Sequence, residues 1–134
     1  MSSMFADQAH RQRIVLLMWI AVVSVLLWQT EIGSLLLYPF TILATWFHEM
    51  GHGIAAMFTG ASFERLLIFP DGSGIAQSMV PANASGLTHA LIAASGPLGP
   101  AIAGSLLIIA SRTDKATRLA LTGVGLALIV STVI

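Results

Sequence analysis

Long apolar runs separated by short polar stretches organise the chain. Residues 1–13 are polar, with Arg11 and Arg13 just before the first run. That run, Ile14 to Trp28, is interrupted only by Ser24. As a helix it reaches about 22 Å, short of a hydrocarbon core of about 30 Å. Snorkelling arginines at one end and Trp28 at the other extend its reach. The basic start resembles a signal peptide, but no small-x-small cleavage site follows in Leu27-Trp28-Gln29-Thr30-Glu31, so the run reads as a retained anchor. Gln29 to Ser34 form a polar connection, and the second apolar run, Leu35 to Phe58, carries Pro39 early. Proline suits the first turn of a helix, where its missing N–H leaves nothing unpaired. The second helix is therefore predicted from Pro39 to about Phe58, about 30 Å long and able to span.

The pattern changes between Thr59 and Ser85. Ser62 to Phe69 is rich in strand-compatible residues, Pro70-Asp71-Gly72-Ser73-Gly74 is a strong turn signal, and Ile75 to Val80 can return as a second strand. A hairpin here belongs at the membrane interface, because an open sheet edge cannot face lipid. Leu87 to Ala110 is a third run, carrying Gly96-Pro97-Leu98-Gly99-Pro100. After a polar loop with Arg112, Lys115 and Arg118, a fourth begins at Leu119. The predicted fold is an all-α membrane protein: a bundle of about four transmembrane helices (about 14–29, 39–58, 87–110 and 119–134) in one domain. A short interfacial β-hairpin (about 62–80) lies between helices two and three. The fourth run stops without a polar flank, which reads as the N-terminal part of a larger bundle. Orientation is a tie, with Arg11, Arg13 and Arg65 on one side and Arg112, Lys115 and Arg118 on the other.

Composition sharpens the membrane reading. Hydrophobic residues make up 56% of the 134 and charged residues only 9%, where soluble proteins carry about 25% charged. So few charges cannot cover a soluble surface of this size. The expected location is an integral, multi-pass place in the cell membrane, with the lipid bilayer as one partner. Six Lys+Arg balance six Asp+Glu, so there is no basic field and nucleic acid is excluded as a partner. The absence of cysteine removes disulfides, thiolate zinc sites and cysteine nucleophiles. Any metal must be held by His, Asp or Glu.

Against that background His48-Glu49-Met50-Gly51-His52 stands out. Histidines at i and i+4 share one helix face, and two imidazole nitrogens can reach one Zn²⁺ at about 2.0–2.1 Å. Glu49 points roughly 100° around the helix, off the metal, where it can act as general base toward a metal-bound water. Ionisable groups at bilayer depth are costly and functional by default. The plain alternative is hydrogen bonding between helices by the same His and Glu. A catalytic zinc takes three protein ligands and a water. Asp71 more naturally serves its own turn through an Asx-type bond, Asp114 sits solvated in a charged loop, and His89 reads as interfacial. The third ligand is expected beyond Ile134.

HEMGH in an apolar run, the Gly60 to Gly74 segment ending in Pro-Asp-Gly-Ser-Gly, and Ala94-Ser95-Gly96-Pro97-Leu98-Gly99-Pro100 together resemble the site-2 protease family of intramembrane zinc metallopeptidases. The resemblance covers roughly Thr41 to Ile109. Its first element is specific and the other two supportive; Gly99-Pro100 stands where the family usually has Ala-Asn. It implies that His48 and His52 bind Zn²⁺, that Glu49 is the catalytic base, and that the third ligand is an aspartate in a later span.

The remaining residues take physical roles. Gly51, Gly53, Ala55 and Ala56 on helix two, and Gly96, Pro100 and Gly104 on helix three, form small-residue faces on which the two helices are expected to pack. Pro97 and Pro100 free backbone groups, which implies a cavity beside the metal. Trp19, Trp28 and Trp46 read as interfacial or packing residues. A protease must hold its substrate extended, and a strand edge of the hairpin, Phe63 to Phe69 or Ile75 to Val80, can hold a transmembrane protein substrate by β-augmentation. The function expected is intramembrane zinc metalloendopeptidase. Its rivals are a non-catalytic zinc-binding adaptor or pseudoprotease and, more remotely, a metal transporter.

Overall fold

The computed structural model describes residues 2–133. Its elements run α1 (Ser2–Trp28), α2 (Glu31–Phe58), β1 (Ser62–Ile68), β2 (Gly74–Met79), α3 (Gly86–Ala110) and α4 (Asp114–Val133). The chain is thus mostly helical, with one two-stranded antiparallel sheet. Among the described residues, His10–Trp28 and Gly86–Ala110 are long and apolar enough to cross a membrane. It divides into two compact units, one up to Phe40 and one from Thr41 onward, so that the boundary falls inside α2 just past Pro39.

In the first unit α1 begins well before Ile14, because no glycine or proline interrupts residues 2–13. Side chains from His10 to Trp28 are exposed except Ser24, which is half-buried and donates to the Ile20 carbonyl. The second helix starts at Glu31 rather than at Pro39, which corrects the sequence reading. Thr30 supplies the cause: its hydroxyl oxygen accepts the Gly33 N–H at 3.0 Å, an N-cap bond, and Glu31 follows in the first turn, where the helix dipole favours an acid. Pro39 is therefore inside a helix, where it removes one donor from the ladder. The tight connection also fixes Gly33, since a Cβ there would overlap the Leu27 carbonyl.

The second unit holds the rest of α2, the hairpin, α3 and α4. α2 ends in a Schellman arrangement: Gly60 takes φ +85°, Gly60 N–H reaches the Met57 carbonyl at 3.3 Å, and Ala61 N–H reaches Ala56 at 2.9 Å. The chain leaves directly into β1. β1 and β2 pair antiparallel from Ser62↔Met79 to Ile68↔Gly74, with a register irregularity between Phe63 and Arg65. The loop between them closes with Phe69 N–H on the Ser73 carbonyl at 2.8 Å and Gly72 N–H on the Phe69 carbonyl at 2.9 Å. Gly72 sits at φ +87°, a conformation in which a side chain is strained. The Pro-Asp-Gly sequence thus closes the hairpin as its turn chemistry predicts.

α3 starts on an N-cap bond, the Thr88 N–H to the Ser85 hydroxyl at 3.2 Å, and stays helical through Pro97 and Pro100. α4 begins at Asp114, earlier than Leu119, because Thr113 caps it through the Ala116 N–H. α2 and α3 run antiparallel. Gly99 lies against the Phe47 carbonyl, Gly51 against the Ser95 carbonyl, and His52 reaches Ile92 further along. Trp46, 6% exposed, is a buried packing residue: its indole N–H donates to the Ser131 hydroxyl of α4 at 2.9 Å.

Candidate metal centre

The second half of α2 presents two ridges to two partners. Thr41, Thr45, Glu49 and Gly53 follow at intervals of four, the spacing that keeps side chains on one helix face. All four meet the hairpin. Thr41 lies near Gly72, the Thr45 hydroxyl donates to the Gly72 carbonyl at 2.7 Å, Glu49 lies against Gly74, and Gly53 lies under the Phe63 ring. Phe47, His48, Gly51 and His52 form the other ridge and meet α3.

The two histidines come together as their spacing predicts. Their rings meet edge-on, with centroids 4.9 Å apart, and the two Nε2 atoms are 3.2 Å apart. A tetrahedral zinc with Zn–N near 2.0–2.1 Å sets two nitrogens about 3.3 Å from each other. The spacing of the pair is therefore close to that of two nitrogens sharing one ion. At the far side of its ring, His52 Nδ1 lies 2.6 Å from the Ile92 carbonyl oxygen. A carbonyl can only accept, so Nδ1 donates and Nε2 of the neutral ring is the acceptor nitrogen, turned toward His48 Nε2; this is the tautomer a metal ligand needs. The same carbonyl accepts the Ser95 hydroxyl at 2.6 Å.

Glu49 is only 9% exposed. A carboxylate so enclosed needs a hydrogen-bond donor, and Ala76 N–H of β2 supplies one at 2.7 Å to Oε2. In an antiparallel ladder successive N–H groups point alternately at the partner strand and away from it. The Ala76 N–H points away, so the free edge of β2 is the edge that faces the motif helix. Gly74 is required beside it, because a Cβ there would stand 2.8 Å from Glu49 Cγ and 2.7 Å from Thr45 Cγ2.

The other candidate donors stay apart. Among the described residues no three His, Asp or Glu side chains group to hold a metal. Asp71, exposed in the hairpin loop, accepts from the Ser73 N–H at 3.0 Å and the Ser73 hydroxyl at 2.7 Å through one oxygen. This is the Asx-type role expected for it, and these bonds hold its carboxyl below the usual aspartate value. His89 and Asp114 are exposed on α3 and α4. Two nitrogens thus supply half of a tetrahedral shell.

An apolar groove of about 590 Å³ runs between α2 and α3, lined by residues such as Met50, Ile54, Ala55, Leu98 and Ile102. Neither histidine nor Glu49 lines it, so this groove lies apart from the candidate ligands and base. The sequence also left unseen the two backbone partners, Ile92 and Ala76, and the clasp at Thr45. The one available signal was for Thr45, four residues before Glu49 on the same face.

Comparison with known proteins adds one match. A family model described as Peptidase M50B-like matches residues 14–134. No curated protein and no solved structure matches the chain.

Proposed function

The chain belongs to the peptidase M50B-like family, in keeping with its resemblance to the site-2 proteases, and from that premise we propose that it is an intramembrane zinc metalloendopeptidase. It hydrolyses peptide bonds of membrane-embedded proteins from a multi-pass position in the cell membrane, with all four helices spanning. The observation that carries this reading is the convergence of His48 and His52 Nε2 at 3.2 Å beside a buried Glu49.

His48 and His52 would hold Zn²⁺ through Nε2, with the Ile92 carbonyl keeping the His52 ring in the required tautomer. Zinc, when bound, supplies the acidification of water and the polarisation of the scissile carbonyl. Glu49 takes a proton from the attacking water and delivers it to the leaving amine nitrogen. The burial that excludes solvent from Glu49 also keeps that proton within the site. A strand edge of the hairpin holds the substrate, an unwound transmembrane segment paired there as an extended strand within reach of the base.

Glu49→Gln keeps an acceptor oxygen for Ala76 N–H but no base. It is expected to abolish cleavage of a membrane-spanning substrate, by at least about 10²–10⁴-fold, while zinc content stays at the wild-type level. Cleavage at the wild-type rate would remove Glu49 from the mechanism. A second reading, a zinc-binding adaptor without catalysis, is favoured by one observation: only two ligating side chains converge among the described residues. It predicts bound zinc and no proteolysis in the wild-type chain.

A further inference from the structure

Three glycines sit where α2 and α3 cross, and they are not equivalent. A Cβ on Gly51 would overlap the Ser95 carbonyl oxygen, and one on Gly99 the Phe47 carbonyl oxygen. Both overlaps are with the backbone of the opposing helix, so these two glycines set how closely the helices approach. Gly96 is different. The three atoms nearest its absent Cβ are Nε2 and Cε1 of His52 and Nε2 of His48, the last at 2.7 Å. No backbone atom is among them.

A carbon that close to Nε2 and Cε1 of one ring and Nε2 of the other lies against the imidazoles themselves, so a side chain at Gly96 would push the rings out of the arrangement that holds their Nε2 atoms 3.2 Å apart. That separation is close to the distance between two nitrogens bound to one tetrahedral ion at about 2.0–2.1 Å. The His52 ring cannot swing clear without giving up its 2.6 Å bond to Ile92. Ile92 and Gly96 are one helical turn apart on α3. One face of α3 therefore holds the ring by a carbonyl and makes room for it with a missing side chain. Glycine inside a helix is disfavoured relative to alanine, and Gly96 is the only buried residue of α3 among those described.

We infer that Gly96 is a positioning residue of the metal site: its bare backbone leaves the room in which the His48 and His52 rings bring their Nε2 atoms together. This rests on the reading of those histidines as zinc ligands. It separates Gly96 from its neighbours in the Ser95-Gly96-Pro97-Leu98-Gly99 stretch, where Gly99 serves helix packing.

The test uses the full chain in detergent micelles. Zn²⁺ affinity is measured by chelator competition, the ligand field by Co²⁺ absorption, and stability by thermal unfolding of the metal-free protein. Gly96→Ala is expected to weaken Zn²⁺ binding by about 10–100-fold and to change the Co²⁺ spectrum. It is also expected to lower the metal-free midpoint. In a His48→Ala/His52→Ala background the same Gly96→Ala change is expected to leave the midpoint unchanged or raised, because the overlapping rings are gone. Wild-type Zn²⁺ affinity and Co²⁺ spectrum in Gly96→Ala overturn the inference. So does an equal loss of stability with and without the imidazoles, including failure to fold in both backgrounds, which would make Gly96 a packing residue like Gly99. If the wild-type chain binds no Zn²⁺, the metal reading and the metal role of Gly96 fall together. The stability coupling between Gly96 and the rings is read independently of that result.

Discussion

On one side of α2, Thr45 and Glu49 hold the hairpin through side-chain hydrogen bonds of 2.7 Å. On the other, Gly51 and Gly99 bring α3 close enough that an added methyl would strike a carbonyl. Hydrogen bonds of this kind contribute about 1 kcal/mol each and can be exchanged for others. A close backbone crossing has no such freedom, because interiors packed to this density shift only at a steric cost. The histidines lie on the close-packed side and Glu49 on the exchangeable one. On the proposed reading, two ligands that must keep a 3.2 Å spacing stand where the backbone packing is tightest. The base, which would hand a proton from one group to another, stands where its partner is a strand that can be re-paired.

The sharpest break of this contrast comes from Gly51→Ala or Gly99→Ala. Removing a helix glycine gains about 1 kcal/mol, but the backbone overlap is expected to outweigh it and leave a net loss of about 1–3 kcal/mol. Reversible unfolding in mixed micelles measures this. A neutral result at both positions would mean that the crossing is loose. Thr45→Val, next in size, loses the bond to Gly72 and should cost about 1 kcal/mol. Amide exchange should quicken at Gly74 and Ala76 and stay unchanged at Ile92 and Ser95. Equal quickening on both sides would show that the two ridges are one cooperative unit.

Gly53→Ala is the matched control, two residues from Gly51 on the hairpin side. The three atoms nearest its new methyl all belong to the Phe63 ring, a side chain that can turn, and the helix gains about 1 kcal/mol in propensity. The net change in unfolding free energy is expected within about 0.5 kcal/mol of zero. The smallest effect belongs to Asp71. Its folded-state carboxyl is held below the ordinary aspartate value, about 3.9, by the Ser73 hydroxyl and N–H. The contribution is therefore present above that pH and lost as pH falls through the lower folded value. A pH titration of hairpin amide exchange should show loosening confined to acid below about pH 4, absent in Asp71→Ala.

The sequence revealed features that depend on side-chain identity or on an unusual backbone. Pro70-Asp71-Gly72 specifies a turn because Gly72 must take positive φ, and the hairpin lies where that turn placed it. His48 and His52 converge because i and i+4 share a face in any helix. The start of α2 was misread for a local reason. Pro39 looks like a first-turn proline, while the capping signal that decides the matter, Thr30 with Glu31 behind it, lies nine residues earlier and competes with it. The acceptor at Ile92 and the donor at Ala76 were invisible because main-chain groups are the same at every residue. Gly96 was legible as small, but not as facing two imidazoles instead of a helix backbone.

The bond between His52 and Ile92 spans forty residues, and that between Trp46 and Ser131 spans eighty-five. At about 5–20 residues per second, the motif helix leaves the ribosome roughly 2–8 s before the carbonyl that orients His52. The buried contact of Trp46 waits longer still. During synthesis the HEMGH segment therefore exists for seconds without the carbonyl that orients His52. If the histidines hold a metal as proposed, its final geometry forms only after α3 has packed Gly96 against the rings, which makes assembly of the centre a late event in the folding of the chain.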